Sequence, residues 1–217
     1  MKSHVVGSFV YDRVRTQGVS VAETADDLER IGALRYALYV ARDKKSYPDA
    51  NHHNHSLIEA IDHRSLNIFG EHEGECLTAI RLTKARLATD DQYLHRLLEN
   101  STFDRTVYDR LAVVSRLTAA EHAKARPLMI SAMREAYRVA LRNEIKLAVA
   151  ATRQTLVPFF TRLGWVSSGK SYAESIAGEM HILVLDLYDR STLNSEHPIF
   201  LDLLDAFEIA KMMGETA

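Results

Sequence analysis

Cysteine is nearly missing from this chain: Cys76 is the one thiol in 217 residues. That excludes an internal disulfide framework and a cysteine-based zinc site, and it suits a reducing compartment. Glycine is sparse too, nine in all, with none between Gly74 and Gly164. Over that stretch no residue readily lets the backbone come close to a ligand. Net charge is also slight, formally −2, so there is no global field to draw in nucleic acid or an anionic membrane. Any anionic partner must be held by a local patch. No apolar run reaches membrane-spanning length, and MKSHVVGSFVYDRVR has too short an apolar stretch for a signal peptide. We expect a cytoplasmic protein with no membrane insertion and no nucleic-acid partner. A lipid substrate stays compatible with that.

Hydrophobic residues at 47% and charged residues at 26% are ordinary for a globular chain. With no repeat, linker or low-complexity segment, a single domain over 1–217 is the simplest organisation. Phe9 to Val14 reads as a strand. Thr24 then caps a helix whose Leu28, Ile31, Leu34 and Leu38 repeat at helical spacing to about residue 43. Lys44 to Asn54 reads as a polar loop. Ser65–His72 and Glu75–Thr83 form a hairpin around Glu73-Gly74. A short helix follows from Asp90 to Glu99, then a buried strand from Leu111 to Leu117. A long helix has Pro127 in its first turn. Ile145–Ala151 is a second buried strand, Leu156–Leu163 a helix ended by Gly164, Glu179–Leu187 a strand, and Pro198–Met213 a last helix. The order predicts a mixed α/β fold, with antiparallel strands first and one strand–helix–strand crossover later.

The segment ATRQTLVPFFTRLGW, residues 151–165, places a helix with an aromatic pair after a strand and closes it with Leu-Gly-aromatic. Together with the crossover and hairpin before it, this resembles the GNAT N-acyltransferases over roughly residues 24 to 187. The resemblance implies a thioester lying where two neighbouring parallel strands splay, and direct attack by an amine with backbone N–H groups on the oxyanion. Acetyl-CoA members carry a glycine-rich loop ahead of the long helix to cradle pyrophosphate. Here that loop is AAEHAKAR, residues 119–126, without a glycine. This is similar to the branch holding the acyl-homoserine lactone synthases and N-acyl amino acid synthases. Arg35-x-x-x-Tyr39, Glu59-x-x-Asp62, Arg81-Leu82 and Ser115-Arg116 resemble motifs of the lactone synthases. Their glutamate just before Ser-Arg is replaced by Val113-Val114, which favours the N-acyl amino acid synthases, N-acyltyrosine formation being the nearest match.

That resemblance implies transfer of a long-chain fatty acyl group from an acyl carrier protein thioester to the α-amine of an amino acid. Tyrosine or another apolar or aromatic amino acid is the expected acceptor. The co-substrate is then an acyl-phosphopantetheine thioester on carrier protein or coenzyme A, with no bound cofactor and no metal. Lactone synthesis, acetyl transfer from acetyl-CoA and a silent carrier-binding module are the alternatives. For the amine proton, Glu59 is the candidate base, on the expectation that the neighbouring Asp62 raises its pKa. Asp62 would orient Arg81. Arg35, Tyr39, Arg81 and Arg116 are the candidate binding residues, arginine being suited to a carboxylate, and Ser115 could protonate the leaving thiolate. Lys124 and Arg126 flank the start of the long helix and suit a single phosphate. Arg134, Arg138 and Arg142 make a stripe that could meet an acidic carrier. His52, His53 and His55 read as solvated loop residues, and Cys76 as a small buried hydrophobe.

Overall fold

A computed structural model of the protein describes residues 3–12 and 16–214. The chain falls into two compact units: Met1–Leu82 with Ser115–Ala136, and Thr83–Val114 with Tyr137–Ala217.

In the first unit β1 (Ser3–Val6) and β2 (Phe9–Asp12) form a small antiparallel hairpin. Val14, expected to continue β2, lies outside the described residues. A short β3 (Val19–Val21) was not legible in the sequence. Thr24 accepts the Asp27 N–H and Asp27 returns to the Thr24 N–H, a capping box that starts the helix Ala25–Arg35. Its apolar stripe, Ile31 and Leu34 with Leu38 beyond, packs on Phe69, Cys76 and Ala79. The helix then widens into a π-helical stretch, Tyr36–Arg42. The expected loop is interrupted by a two-residue pairing of β4 (Ala50–Asn51) with β5 (Ser56–Leu57). The expected hairpin is present as β6 (Leu66–His72) and β7 (Glu75–Lys84), antiparallel. Its turn residues Glu73 and Gly74 both have positive φ, 52° and 83°, the tight hairpin geometry. β8 (Leu111–Ala119) starts in the second unit and ends in the first, where the strand order is β8–β7–β6–β3.

The strand–helix–strand crossover passes through both units in sequence, its helix leaving the first unit after Ala136 and its second strand lying in the second. β9 (Leu147–Thr152) runs parallel to β8 from Leu111↔Leu147 to Val113↔Val149, the connection being the long helix Ala125–Arg142. β11 (Gly178–Asp186) is antiparallel to β9 and also to β10 (Val166–Glu174), so the sheet here is mixed. β10 was missed because it is an edge strand with no apolar alternation: among Val166–Glu174 only Tyr172 is buried. Asp91 caps the helix Gln92–Ser101 by accepting the Leu94 N–H at 2.9 Å. Gly164, at φ 93°, closes the turn after Val157–Thr161. The last helix spans Leu201–Met212.

Candidate active site

Residues from five elements of the first unit converge on one buried chain of alternating charges. Arg35 leaves the end of the first helix and donates from Nη1 to Asp62 Oδ2 at 2.8 Å and from Nη2 to Asn67 Oδ1 at 3.1 Å. Asp62 sits in a short 3₁₀ turn, Ala60–Arg64, and its Oδ2 also accepts the Glu59 N–H at 2.8 Å. The i, i+3 spacing of the two acids is therefore a helix-start geometry, with Glu59 as the capping residue. Arg81, on β7, donates from Nη1 to Asp62 Oδ1 at 3.1 Å and to Glu59 Oε2 at 2.8 Å. Arg116, on β8, grips Glu59 through both its fork nitrogens, Nε to Oε2 at 2.7 Å and Nη2 to Oε1.

Arg35, Asp62 and Arg81 are 2% exposed or less, while Glu59 reaches 8%. Burying such ions is costly unless each is paired and hydrogen-bonded, and here the pairing is close to complete. Nε of Arg35 and Nη2 of Arg81 have no partner among the described residues. Three guanidiniums face two carboxylates, so the cluster carries one excess positive charge.

This arrangement corrects the expected acid–base logic. Burial would raise the Glu59 carboxyl, but Arg116, with Arg81 and Arg35 behind it, overrides that and holds it far below the usual carboxylate range. Asp62 is also lowered: burial again opposes, Arg35 and Arg81 prevail, and the like charge of Glu59 is a lesser influence. The expected raised pKa is absent because the guanidiniums lie closer to each carboxylate than the carboxylates' mutual repulsion can offset. A carboxylate so occupied is a weak proton acceptor.

Ser115 is the neighbour of this cluster with chemistry to offer. Its Oγ accepts from Arg81 Nε at 3.0 Å, which leaves the hydroxyl proton free to be donated elsewhere. Tyr39 faces Arg116, its ring centre 5.6 Å from the guanidinium carbon. Burial, partly offset by Arg116, keeps its phenol protonated by pushing its pKa up. Two contributors were not legible in the sequence. Tyr47 stacks on Arg116 at 4.7 Å and contacts its Nη1 through the hydroxyl at 3.2 Å. Asn67 receives Arg35. Tyr47 lies in the polar loop, where a lone aromatic beside Pro48 was the only signal.

Lys124 and Arg126 are exposed at the start of the long helix. The loop before it uses its own acceptors: Lys124 N–H goes to His122 Nδ1 at 3.1 Å and Ala125 N–H to His122 O at 3.0 Å. Arg134 and Arg138 are half-buried and engaged in interactions of their own. His52 and His55 pack around Tyr36, with His52 Nδ1 3.0 Å from its hydroxyl. Among the described residues no three metal-type ligands come together. Cys76 is buried, and burial raises its thiol to about 11.

The sequence matches no family model. It matches no curated protein either. Solved structures do resemble it. The acyl-homoserine lactone synthase LasI superposes with a TM-score of 0.63 at 16% identity, over 81% of this chain and 92% of that one. The CoA-dependent acyl-homoserine lactone synthase BjaI, solved with SAM and isopentyl-CoA, gives 0.60 at 15%, over 85% and 83%. A putative N-acetyltransferase from Lactobacillus plantarum gives 0.57 at 12%, over 78% and 97%. The chain therefore has the mixed α/β fold that lactone synthases share with the GNAT acetyltransferases.

Proposed function

We propose that this protein is an N-acyltransferase that moves a long-chain fatty acyl group from a carrier-protein thioester to the α-amine of an amino acid. The observation that carries the reading is the buried charge cluster with one positive charge in excess, ending at Arg116 and Ser115 beside Tyr39 and Tyr47. An amino acid brings the matching negative carboxylate, and an aromatic side chain suits the tyrosine rings. The ammonium first loses its proton to water. The neutral amine nitrogen then attacks the thioester carbonyl carbon, the C–N bond forms and the C–S bond breaks. Ser115 gives its proton to the departing sulfur, and the proton released from the new amide nitrogen passes through water back to the serine oxygen. Val113 and Val114, buried at 0% and 8% exposure, supply no carboxylate where the lactone synthases resembled in sequence have a glutamate. The loop before the long helix has committed two of its N–H groups, which favours a donor with one phosphate over coenzyme A with its pyrophosphate.

Lactone synthesis is the second reading, favoured by the likeness to LasI and BjaI. Purified protein, long-chain acyl carrier protein and twenty amino acids, followed by mass spectrometry, separate the two. An N-acyl amino acid with free carrier thiol is the expected result. Lactone and methylthioadenosine formed only with adenosylmethionine would replace the reading, as would turnover of acetyl-CoA without carrier. Carrier binding without turnover of any amine would make the protein a binding module.

A further inference from the structure

The first turn of a helix leaves its N–H groups without intrahelical acceptors, free for an anion. At the start of the long helix Ala125–Arg142 most of them are taken. Lys124 N–H donates to His122 Nδ1 at 3.1 Å, and Ala125 N–H to His122 O at 3.0 Å. Pro127 has no N–H to give. Leu128 N–H already reaches Lys124 O at 3.3 Å. That leaves the Arg126 N–H, which has no acceptor among the described residues. The bond to the imidazole is the one that depends on residue type. It spans from residue 122 to residue 124, the reach by which asparagine and aspartate side chains close a turn on their own backbone. His122 is held in place for it. Its N–H donates to Ala120 O at 2.9 Å, Ala120 N–H donates to Leu77 O of β7 at 2.8 Å, and its ring lies 5.9 Å from that of His72. His122, Lys124 and Arg126 are all exposed. A single phosphate would thus meet one open N–H and two cations, whereas a pyrophosphate needs donors for both of its phosphates.

We infer that His122 is a specificity-determining residue: its imidazole withholds the Lys124 N–H from a second phosphate, and so sets this helix start for the one phosphate of a carrier-borne pantetheine against the pyrophosphate of coenzyme A. That the helix start receives the acyl donor rests on the acyltransferase reading above; that the imidazole occupies the N–H does not. The test measures binding of pantetheine, 4′-phosphopantetheine and coenzyme A to wild type, His122→Ala and His122→Asn by calorimetry. Asparagine keeps a side-chain acceptor within reach of the Lys124 N–H, and alanine does not. In wild type the first phosphate should tighten binding about tenfold over pantetheine. In His122→Ala the preference for coenzyme A over 4′-phosphopantetheine should rise about tenfold above its wild-type value, as one N–H bond to a charged oxygen is gained, with pantetheine unchanged. His122→Asn should keep the wild-type ratio. A merely structural cap would weaken all three ligands alike in His122→Ala. That result, an unchanged ratio in His122→Ala, or the same shift in His122→Asn overturns the inference. With acyl donors and saturating amino acid, the shift should appear in KM and leave kcat unchanged. If wild type acylates no amine while the binding ratio shifts as stated, the acyltransferase reading fails and the role of His122 stands. If neither phosphate-bearing ligand binds any of the three proteins more tightly than pantetheine does, the helix start receives no phosphate and the inference falls.

Discussion

Replacing Arg81 by methionine would leave Asp62 and Glu59 buried with one guanidinium each. Breaking a buried pair in this way costs about 3–5 kcal/mol, so a clear drop in Tm is expected, and an unchanged Tm would mean the cluster is dispensable for stability. The same residues set an acid limit. Both carboxyls have folded pKa values below their unfolded ones, so their stabilisation is present above the unfolded values, roughly 4, and is lost as pH falls through the folded ones. Tm should hold steady from neutral pH to about 5 and fall below about 4; in Arg81→Met that acid limb should flatten. Ser115→Ala removes the free hydroxyl proton without touching the charges. It should lower kcat by about 10- to 100-fold with KM for the amino acid little changed. A KM effect alone would place Ser115 in binding.

At the scale of elements, the packing of the first helix decides a substitution that propensity would get wrong. Gly32 lies mid-helix, and alanine there should add up to about 1 kcal/mol of helix propensity. A Cβ at that position would meet Ser56 Oγ at 2.3 Å and Ile58 Cγ1 at 2.7 Å. The Ser56 and Ile58 side chains would have to give way, so Gly32→Ala should destabilise by about 1–3 kcal/mol, read by chemical denaturation; a gain would mean that these side chains yield freely. The start of the long helix belongs to this scale too. With two loop N–H groups already committed, acyl carrier protein should exceed the matching acyl-CoA in kcat/KM by about tenfold. Equal use of both donors would undo the argument from the loop.

For the whole molecule, the fold is a mixed α/β arrangement, and the buried charge cluster lies within the first of two compact units. No helix among the described residues is long and apolar enough to cross a membrane. On the proposed acyl transfer, with both carboxylates of the cluster held by guanidiniums, the amine is expected to arrive neutral. Wild-type kcat/KM should therefore rise about tenfold per pH unit below the pKa of the amino acid's own amine, measured with saturating acyl donor. A plateau well below that pKa would reveal a base elsewhere in the protein.

Local signals were legible because they act over a few residues. The capping box at Thr24, the apolar stripe of the first helix, the Glu73-Gly74 turn and the strand–helix–strand run from Leu111 are all written in short-range patterns. The grouping of Arg35, Glu59, Asp62, Arg81, Ser115 and Arg116 was reached through resemblance, and the structure does bring them together. Edge strand β10 escaped because an exposed strand has no need of alternation, and the π-helical stretch because it shares its periodic stripe with the α-helix before it. What only tertiary structure decided was the electrical state of the acids. From spacing, Glu59 and Asp62 are two like charges that should push one pKa up. Three arginines from distant parts of the chain, folded within hydrogen-bond reach, reverse the sign, because a carboxylate responds to the charges nearest in space and not to those nearest in sequence.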